Sequence, residues 1–201
     1  MRGMTTTKNY HHGNLRAALI EAGLAELEKS DQAELSLRAV AREVGVSANA
    51  AYRHFANKDD LLGALAAEGF RRFAAMQAQA TQDGAASRQA RSASAKAYVS
   101  FAQAHPALFR LMFSRFLYAS SSEALKTAAA AAFQGLLQAS AQHAGVPVDS
   151  DQALLMALAN WSMVHGLSHL MLDGQLALFN MDVGKLIDGI LDLPAPRLNA
   201  S

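Results

Sequence analysis

Residues 47 to 58 carry side chains of the types and spacing that suit contact with a nucleic acid. An asparagine can bond bidentately to adenine in a major groove, and small residues beside it let a helix backbone approach the bases. Tyrosine and histidine are long enough to reach phosphate oxygens, and a lysine at the positive end of a helix is a natural phosphate ligand. The segment supplies these types as Ala48, Asn49, Ala50, Tyr52, Arg53, His54 and Lys58. Since a merely solvated helix face would more often carry Glu and Lys, the pattern favours DNA recognition.

Two short helices joined by a turn must position these side chains. The first is predicted from an apolar stripe at i, i+3, i+4 and i+7, formed by Leu37, Val40, Ala41 and Val44. Ser36 and Ser47 suit the N-cap positions of the two helices, and Gly45 suits the left-handed residue that ends the first. The second helix is predicted to reach Phe55, with Ala51 and Phe55 facing the core. This is a helix-turn-helix, whose second helix can enter a DNA major groove.

The segment resembles the DNA-binding domain of the TetR (tetracycline-repressor) family of bacterial transcription regulators, over about residues 13 to 62. The matching residues are Leu35-Ser36-Leu37-Arg38-Ala39-Val40-Ala41, Gly45-Val46-Ser47, Ala51-Tyr52-Arg53-His54-Phe55, Lys58 and Leu61-Leu62. The resemblance implies that the DNA contacts fall on Arg38, Ser47, Ala48, Asn49, Ala50, Tyr52, His54 and Lys58. Where relatives often carry a longer polar or basic residue, this chain has Ala48. Base contacts are therefore expected from Asn49, from Arg53 or from the alanine methyl groups.

The composition and charge of the chain fit a DNA-binding domain followed by a second module. Of the 201 residues, 51% are hydrophobic and 17% are charged, which is a globular composition. Residues 1–119 hold 15 Lys and Arg against 10 Asp and Glu, whereas residues 120–201 hold 3 against 7. The net charge of +1 thus hides a basic first part and an acidic second part. The basic first 20 residues, which include His11 and His12, are expected near DNA.

Several kinds of site and segment are excluded or disfavoured by the sequence. It has no cysteine, which excludes disulfides and thiolate metal sites and is compatible with a reducing cytosol. The first four residues are followed by polar residues, so no signal peptide is predicted. The uncharged runs 127–148 and 152–172 are interpreted as helices buried in protein, because the second carries Asn160, His165 and His169. We therefore expect a cytoplasmic protein without a membrane span.

Helical periodicity dominates the rest of the chain, with almost no strand-like alternation. Helices are predicted over Leu15 to Leu27, Asn57 to about Thr81, Ala85 to Gln103, His105 to Phe116, residues 123 to 143, about 150 to Leu172, and Asp182 to Leu191. The apolar stripe of the Ala85–Gln103 helix is assigned to Ala93, Ala97, Val99 and Phe101. The predicted fold is all-α with about nine helices. Residues 1–60 form the helix-turn-helix domain, residues 61–193 form an effector-binding and dimerisation domain, and residues 194–201 are a tail.

A second group of residues is predicted to line an effector cavity in the second domain. Aromatic-rich and alanine-rich helices adjoin there, and pockets in helical bundles are mostly apolar with a few polar groups. The predicted lining residues are Phe101, Phe109, Met112, Phe113, Phe116, Trp161 and His165. For any one of them core packing is the alternative, and Gly166 is interpreted as a site of close helix packing. The segment from Trp161 to Gly174 also resembles the Trp-His-Gly signature of the regulatory domain in one TetR subfamily.

These observations lead to one principal hypothesis and two alternatives. The principal one is a TetR-type transcription regulator, expected to be a repressor, which is controlled by a small-molecule effector. It would bind a palindromic double-stranded operator as a homodimer formed through the helices at 151–172 and 182–191. One alternative is a helical DNA-binding regulator without an effector. The other is an all-helical enzyme, which is disfavoured because the sequence shows no Gly-rich phosphate loop and no Glu/His box.

No cofactor and no metal are expected. His165 and His169 are spaced i, i+4, which could place two imidazoles on one metal ion. A third ligand of obvious spacing is missing from the sequence, so the pair is interpreted as ordinary helix residues.

Overall fold

The computed structural model describes residues 14–29, 34–81, 87–114 and 122–193, and within them the fold is all-helical. It contains nine α-helices in these ranges, as the sequence predicts, and one short 3-10 helix at Gln175–Phe179. The α-helices are α1 (Leu15–Lys29), α2 (Leu37–Val44), α3 (Ala48–Tyr52), α4 (Lys58–Ala80), α5 (Arg88–Ala104), α6 (Pro106–Met112), α7 (Glu123–Ala144), α8 (Asp151–Leu172) and α9 (Val183–Leu191). The basic arm before residue 14, Phe116 and the tail after residue 193 lie outside the described residues.

The sequence predicts that α6 reaches Phe116, but this helix ends at Met112. Side-chain caps mark the starts of seven helices. Each cap accepts a hydrogen bond from the backbone N–H three residues later, which satisfies a donor that the first helical turn leaves unpaired. These caps are Ser36, Ser47, Asn57, Ser87, Ser122, Ser150 and Asp182. Gly45 ends α2 with a φ of 78°, and the N–H of Val46 donates to the carbonyl of Ala41 at 2.9 Å. The predicted cap and stop residues of the helix-turn-helix are thereby confirmed.

Helix α3 is shorter than the sequence predicts, because it ends at Tyr52 rather than at Phe55. The N–H groups of His54 and Phe55 both donate to the carbonyl of Ala51, at 2.9 and 3.1 Å, which tightens the chain into a turn. Phe55 remains buried with 2% exposure, as expected, and the N-cap of α4 follows two residues later. Arg53 and His54 therefore lie in the turn after the second helix of the motif.

Helix α4 is the central element of the fold and connects its two parts. Seven consecutive residues, 61 to 67, are buried, and the helix contacts α1, α5, α6 and α7. A Cβ atom added at Gly69 would stand 2.7 Å from Sδ of Met112, so any larger residue there would force buried side chains of α6 to shift. The 60/61 domain boundary that the sequence predicts falls three residues into α4, and this one helix belongs to both parts.

The buried face of α5 differs from the predicted one. Val99 and Phe101 are buried as expected, but Ala93 and Ala97 are only half-buried. Tyr98 and Ala102 complete the buried face instead, because α5 packs against α4 on one side and α8 on the other. None of the helices in the described ranges is long and apolar enough to cross a membrane.

Candidate DNA interface and effector cavity

The helix-turn-helix presents its polar residues to solvent and its apolar residues to the core. Ala51 has no exposed surface, whereas Tyr52 is 43% exposed. All nine residues predicted to contact DNA lie at least partly on the surface, namely Arg38, Ser47, Ala48, Asn49, Ala50, Tyr52, Arg53, His54 and Lys58. The Ser47 hydroxyl accepts from the N–H of Ala50 at 3.2 Å and still has its own O–H to donate. The surface offers amide, hydroxyl and cationic donors, the groups that bind base edges and phosphates.

Local contacts hold this surface in place. The guanidinium carbon of Arg16 in α1 lies 5.2 Å from the ring centroid of Phe55, a cation–π contact. Asn57 Oδ1 accepts from the N–H of Asp60 at 2.9 Å, and the carboxylate of Asp60 accepts from the N–H of Ala56 at 3.0 Å. This reciprocal cap fixes the start of α4 and sets Lys58 as its first residue, beside the positive helix end.

A cavity of about 640 Å³ lies between α4, α5, α7 and α8, with residues from the end of α6 and from α9 at its edges. Its volume is in the range of sites that hold one drug-sized ligand. Six aromatic side chains form part of the wall, namely Phe70, Phe73, Tyr98, Phe113, Phe133 and Trp161. Small residues of α7, such as Ala129 and Ala132, also line the cavity.

The residues predicted to line an effector cavity lie in different parts of the structure. Phe113 and Trp161 lie in the cavity wall. Phe101, Phe109 and Met112 are buried in the packed core, with at most 2% exposure, and do not line the cavity. Phe109 and Met112 lie on α6, which packs against α1 and α4, and Phe101 lies on α5, where its ring contacts that of Phe73 in α4. His165 does not line the cavity either. It contacts Tyr98, and Tyr98 is one of the lining residues.

Tyr98 connects Trp161 to His165 through its hydroxyl group. The Trp161 indole N–H donates to the hydroxyl oxygen at 3.1 Å, and the hydroxyl stands 2.9 Å from Nδ1 of His165. We assign the phenol O–H as the donor to Nδ1, which places the proton of the neutral His165 ring on Nε2. Burial, with a contribution from the neighbouring His169, lowers the pKa of His165 to about 4. The imidazole is therefore neutral near pH 7 and acts as an acceptor.

The network gives His165 a hydrogen-bond partner in Tyr98. The ring centroid of His165 is 4.7 Å from that of His169, but no group of three His, Asp or Glu residues that could hold a metal ion occurs in the described part of the chain. Burial also raises the pKa of Tyr98, so its hydroxyl keeps its proton. Of the residues in this network, Trp161 and Tyr98 line the cavity and can contact a ligand there.

Sequence reasoning missed part of the cavity wall. Phe70, Phe73 and Gln77 line it at the i, i+3, i+7 spacing of one helix face, a pattern that could have been read from the sequence. Arg91 and Tyr98 also line it, and they recur at i, i+7 on α5. The sequence around Arg91 and Tyr98 does not indicate that they line a cavity. The cavity is enclosed by four helices, so residues far apart in the sequence form its wall.

The helix-turn-helix part is joined to the cavity part by polar contacts as well as by α4. Helix α6 has no side-chain cap of its own, and the carboxylate of Glu28 in α1 fills that place. It accepts from the N–H of Leu108 at 3.1 Å and from that of Ala107 at 3.3 Å. Arg72 in α4 binds Glu21 of α1 and donates to Glu68 at 2.9 Å. A movement of α6 or α4 would therefore displace the residues of α1 that are bonded to these helices.

Comparison with solved structures supports the fold. A protein of unknown function from Rhodococcus sp. RHA1 is 33% identical, with a TM-score of 0.77 over 92% of this chain and 95% of its own. The multidrug binding protein EbrR, solved with imidazole, is 25% identical, with a TM-score of 0.55 over 90% and 97% of the two chains. The TetR family regulator PfmR from Thermus thermophilus shares the fold at 19% identity, with a TM-score of 0.60 over 87% and 95%. Among curated proteins, none matches the chain.

Two family profiles match the sequence in consecutive parts. Residues 19–65 match the profile of bacterial regulatory proteins of the tetR family. Residues 91–193 match that of the tetracyclin repressor-like C-terminal domain. The first match covers the helix-turn-helix with its exposed polar face, and the second covers most of the cavity. The chain belongs to the TetR family of DNA-binding transcription regulators.

Proposed function

We propose that this regulator is a repressor that binds a palindromic operator as a homodimer and is released from it by a small molecule bound in the cavity. The observation that carries the proposal is the course of α4. Its first residue, Lys58, follows the end of α3, the recognition helix of the motif, by six positions in the chain. Phe70, Phe73 and Gln77 of the same α4 line the cavity. A ligand that repositions α4 would change the separation of the two recognition helices of a dimer, so that ligand and DNA binding are coupled.

The DNA-binding surface comprises the nine surface residues described above, with roles that follow from their chemistry. Asn49 and Arg53 are assigned to base edges, while Arg38, Tyr52, His54 and Lys58 are assigned to phosphates. The small side chains of Ala48 and Ala50 allow close approach to the groove. Residues 1–60 act as the DNA-binding domain, residues 61–193 as the effector and dimerisation domain, and residues 194–201 as a tail.

The dimer would form through α8 and α9. The exposed side of α8 carries Leu154, Leu155, Leu158 and Leu170, of which Leu155 is 67% exposed. Gly166 lies on this same side with no atom within 4 Å of the place of a Cβ, so no helix of its own chain packs on it. A partner helix could approach closely there. The apolar surface continues into the 3-10 helix, where Leu178 is 86% exposed and Phe179 is 66% exposed.

A substitution in this surface tests the dimer. Leu155→Glu places a charge where a partner would bury an apolar side chain, and we expect a shift from dimer to monomer in sedimentation at micromolar concentration. Gln103→Glu is the control, because it adds the same negative charge at an exposed position of α5, outside both helices of the proposed interface. A wild-type protein that sediments as a monomer would contradict the dimer.

We also assign Trp161, His165 and Gly166 to a Trp-His-Gly regulatory signature. The network through Tyr98 supports a role of Trp161 in the cavity wall and of His165 in positioning Tyr98, and the exposure of Gly166 supports its role in the dimer. Because its target is DNA, we expect the protein in the cytoplasm, and because its family and fold neighbours are transcription regulators, we expect no enzymatic activity.

The function is tested by DNA binding with and without ligands. Fluorescence anisotropy with duplexes from the region upstream of the protein's own gene, at about 150 mM salt, should give one preferred palindromic site. Asn49→Ala should change the base preference by about 1–3 kcal/mol per lost bidentate pair. A panel of small molecules should include one that weakens operator binding. Selective binding that no ligand changes would favour a regulator without an effector, and absence of duplex binding would overturn the proposal.

A further inference from the structure

We propose that the effector is an elongated amphipathic monocarboxylate, with its head group on Arg91 and its apolar body among the aromatic side chains of the cavity. The inference rests on the proposed function, because it names the chemistry of the ligand that the cavity would bind. Arg91 carries the argument. It lines the cavity, and its Nε is buried without a hydrogen-bond partner.

The charges of the cavity wall select for an anion. Among its described lining residues Arg91 is the one Lys or Arg side chain, and none is an Asp or Glu. An N–H donor held away from water without a partner is unfavourable, and a rotation of the Arg91 side chain that brings Nε to a ligand oxygen would relieve that cost. An ammonium ligand would instead meet a guanidinium with no carboxylate among these residues to balance it.

The geometry of a guanidinium favours a carboxylate head group. Nε and the adjacent Nη of Arg91 form a planar pair of donors that matches the two oxygens of a carboxylate. One guanidinium balances one negative charge, whereas a phosphate monoester carries close to two at neutral pH. Nearby, the Ser94 hydroxyl donates to Oε1 of Gln77 at 2.6 Å, so the other end of that amide is its donor end. Gln77 and Ser94 both line the cavity beside Arg91.

The polar and aromatic parts of the wall lie at different positions along the helices. Helices α4 and α5 run antiparallel, since Phe73 contacts Tyr98 with ring centroids 5.0 Å apart while Gln77 bonds to Ser94 further along. Arg91 precedes Tyr98 by seven residues, which is about 10 Å along α5. An acid group on Arg91 would thus be separated by about that distance from a group held by Phe73, Tyr98 and Trp161. This separation calls for an elongated ligand with an apolar end.

A matched ligand series tests the inference with a reporter that the chain supplies. Trp161 is the single tryptophan of the sequence and lies in the cavity wall, so its fluorescence should change when a ligand binds. The probes are ω-phenyloctanoate, ω-phenyloctanol and ω-phenyloctylamine, which share the apolar body and differ in the head group. We expect the acid to bind at least about tenfold more tightly than the alcohol, the factor associated with a hydrogen bond to a charged group. The amine should bind most weakly.

Variants of Arg91 establish where the preference arises. Arg91→Gln should abolish the preference for the acid while the alcohol still binds, and Arg91→Lys should retain part of it. Arg88→Gln is the matched control, since Arg88 lies one turn earlier on α5, binds Asp192 at 2.7 Å and does not line the cavity. It should retain the full preference. Circular dichroism of each variant confirms that it is folded.

Three outcomes would overturn the inference: equal or tighter binding of the alcohol or amine, an acid preference that survives Arg91→Gln, or binding of none of the three probes. Each of them would leave operator binding by the unliganded protein intact. Failure of the unliganded wild type to bind any duplex would instead contradict the proposed function. The two failures are therefore distinguishable in one set of preparations.

Discussion

The Tyr98 network offers a sharp test of how the second domain is held together. Tyr98→Phe removes one oxygen atom that accepts from Trp161 and donates to His165. Tyr98 is 6% exposed, so water does not readily replace the lost hydroxyl. The Trp161 N–H and the His165 Nδ1 would each lose a partner. The change therefore probes two polar groups at once while it preserves the shape of the ring.

The expected cost follows from the burial of the two partners. Leaving a buried polar group unpaired costs about 1–3 kcal/mol. Trp161 and His165 are only partly buried, so we take the lower end of that range, about 1 kcal/mol, for each group and expect a total loss of about 2 kcal/mol in the free energy of unfolding. For a chain of this length, that loss corresponds to a decrease in Tm of about 4–8 °C.

The assay is denaturant unfolding followed by circular dichroism at fixed protein concentration, because dimerisation makes apparent stability depend on concentration. Tyr52→Phe is the matched control, since it deletes the same atom from an exposed residue of α3. That variant should unfold within about 0.5 kcal/mol of the wild type but bind the operator more weakly. A Tyr98→Phe protein as stable as the control would refute the structural role of the network.

Three further predictions concern the DNA interface, the pH dependence and the packing of α4. Lys58→Ala should weaken binding to all duplexes alike and should reduce the slope of log affinity against log salt concentration by about 0.9. An unchanged slope would show that Lys58 does not bind a phosphate. The folded pKa of His165, about 4, lies below its ordinary value of 6.5, so the unfolded chain binds more protons between the two. The contribution of His165 to the free energy of unfolding is therefore complete above pH 6.5 and is lost as the pH falls through 4. His165→Gln should remove this part of the pH dependence, which a plot of unfolding free energy against pH would show. Gly69→Ala, whose added methyl would lie 2.7 Å from Met112, should destabilise the protein by about 1–3 kcal/mol. Gly63→Ala, with no atom within 4 Å, should be neutral or stabilising in the same unfolding assay.

The helices and the helix-turn-helix could be predicted from local sequence. Asn57, Ser150 and Asp182 each bond to a backbone N–H three residues away, so the information for these helix starts lies within a few residues. The prediction of a helix from Asn57 to about Thr81 agrees with α4 and its two caps. The end of α3 was harder to predict, because it depends on a turn that the burial of Phe55 and the start of α4 impose together.

Which aromatic residues face the cavity depends on tertiary packing. Phe109 and Phe113 lie four residues apart, yet the first is in the packed core and the second is in the wall. The sequence does not distinguish these two phenylalanines. Helical periodicity predicts the direction in which a side chain points from the helix axis, but it does not predict whether another helix or a cavity lies in that direction. Tyr98 reaches its partners on a helix more than 60 residues away, as its bond with Trp161 shows across a separation of 63 residues. Local hydrogen bonds can thus be predicted from sequence, whereas a cavity exists only where separate helices fail to fill the space between them.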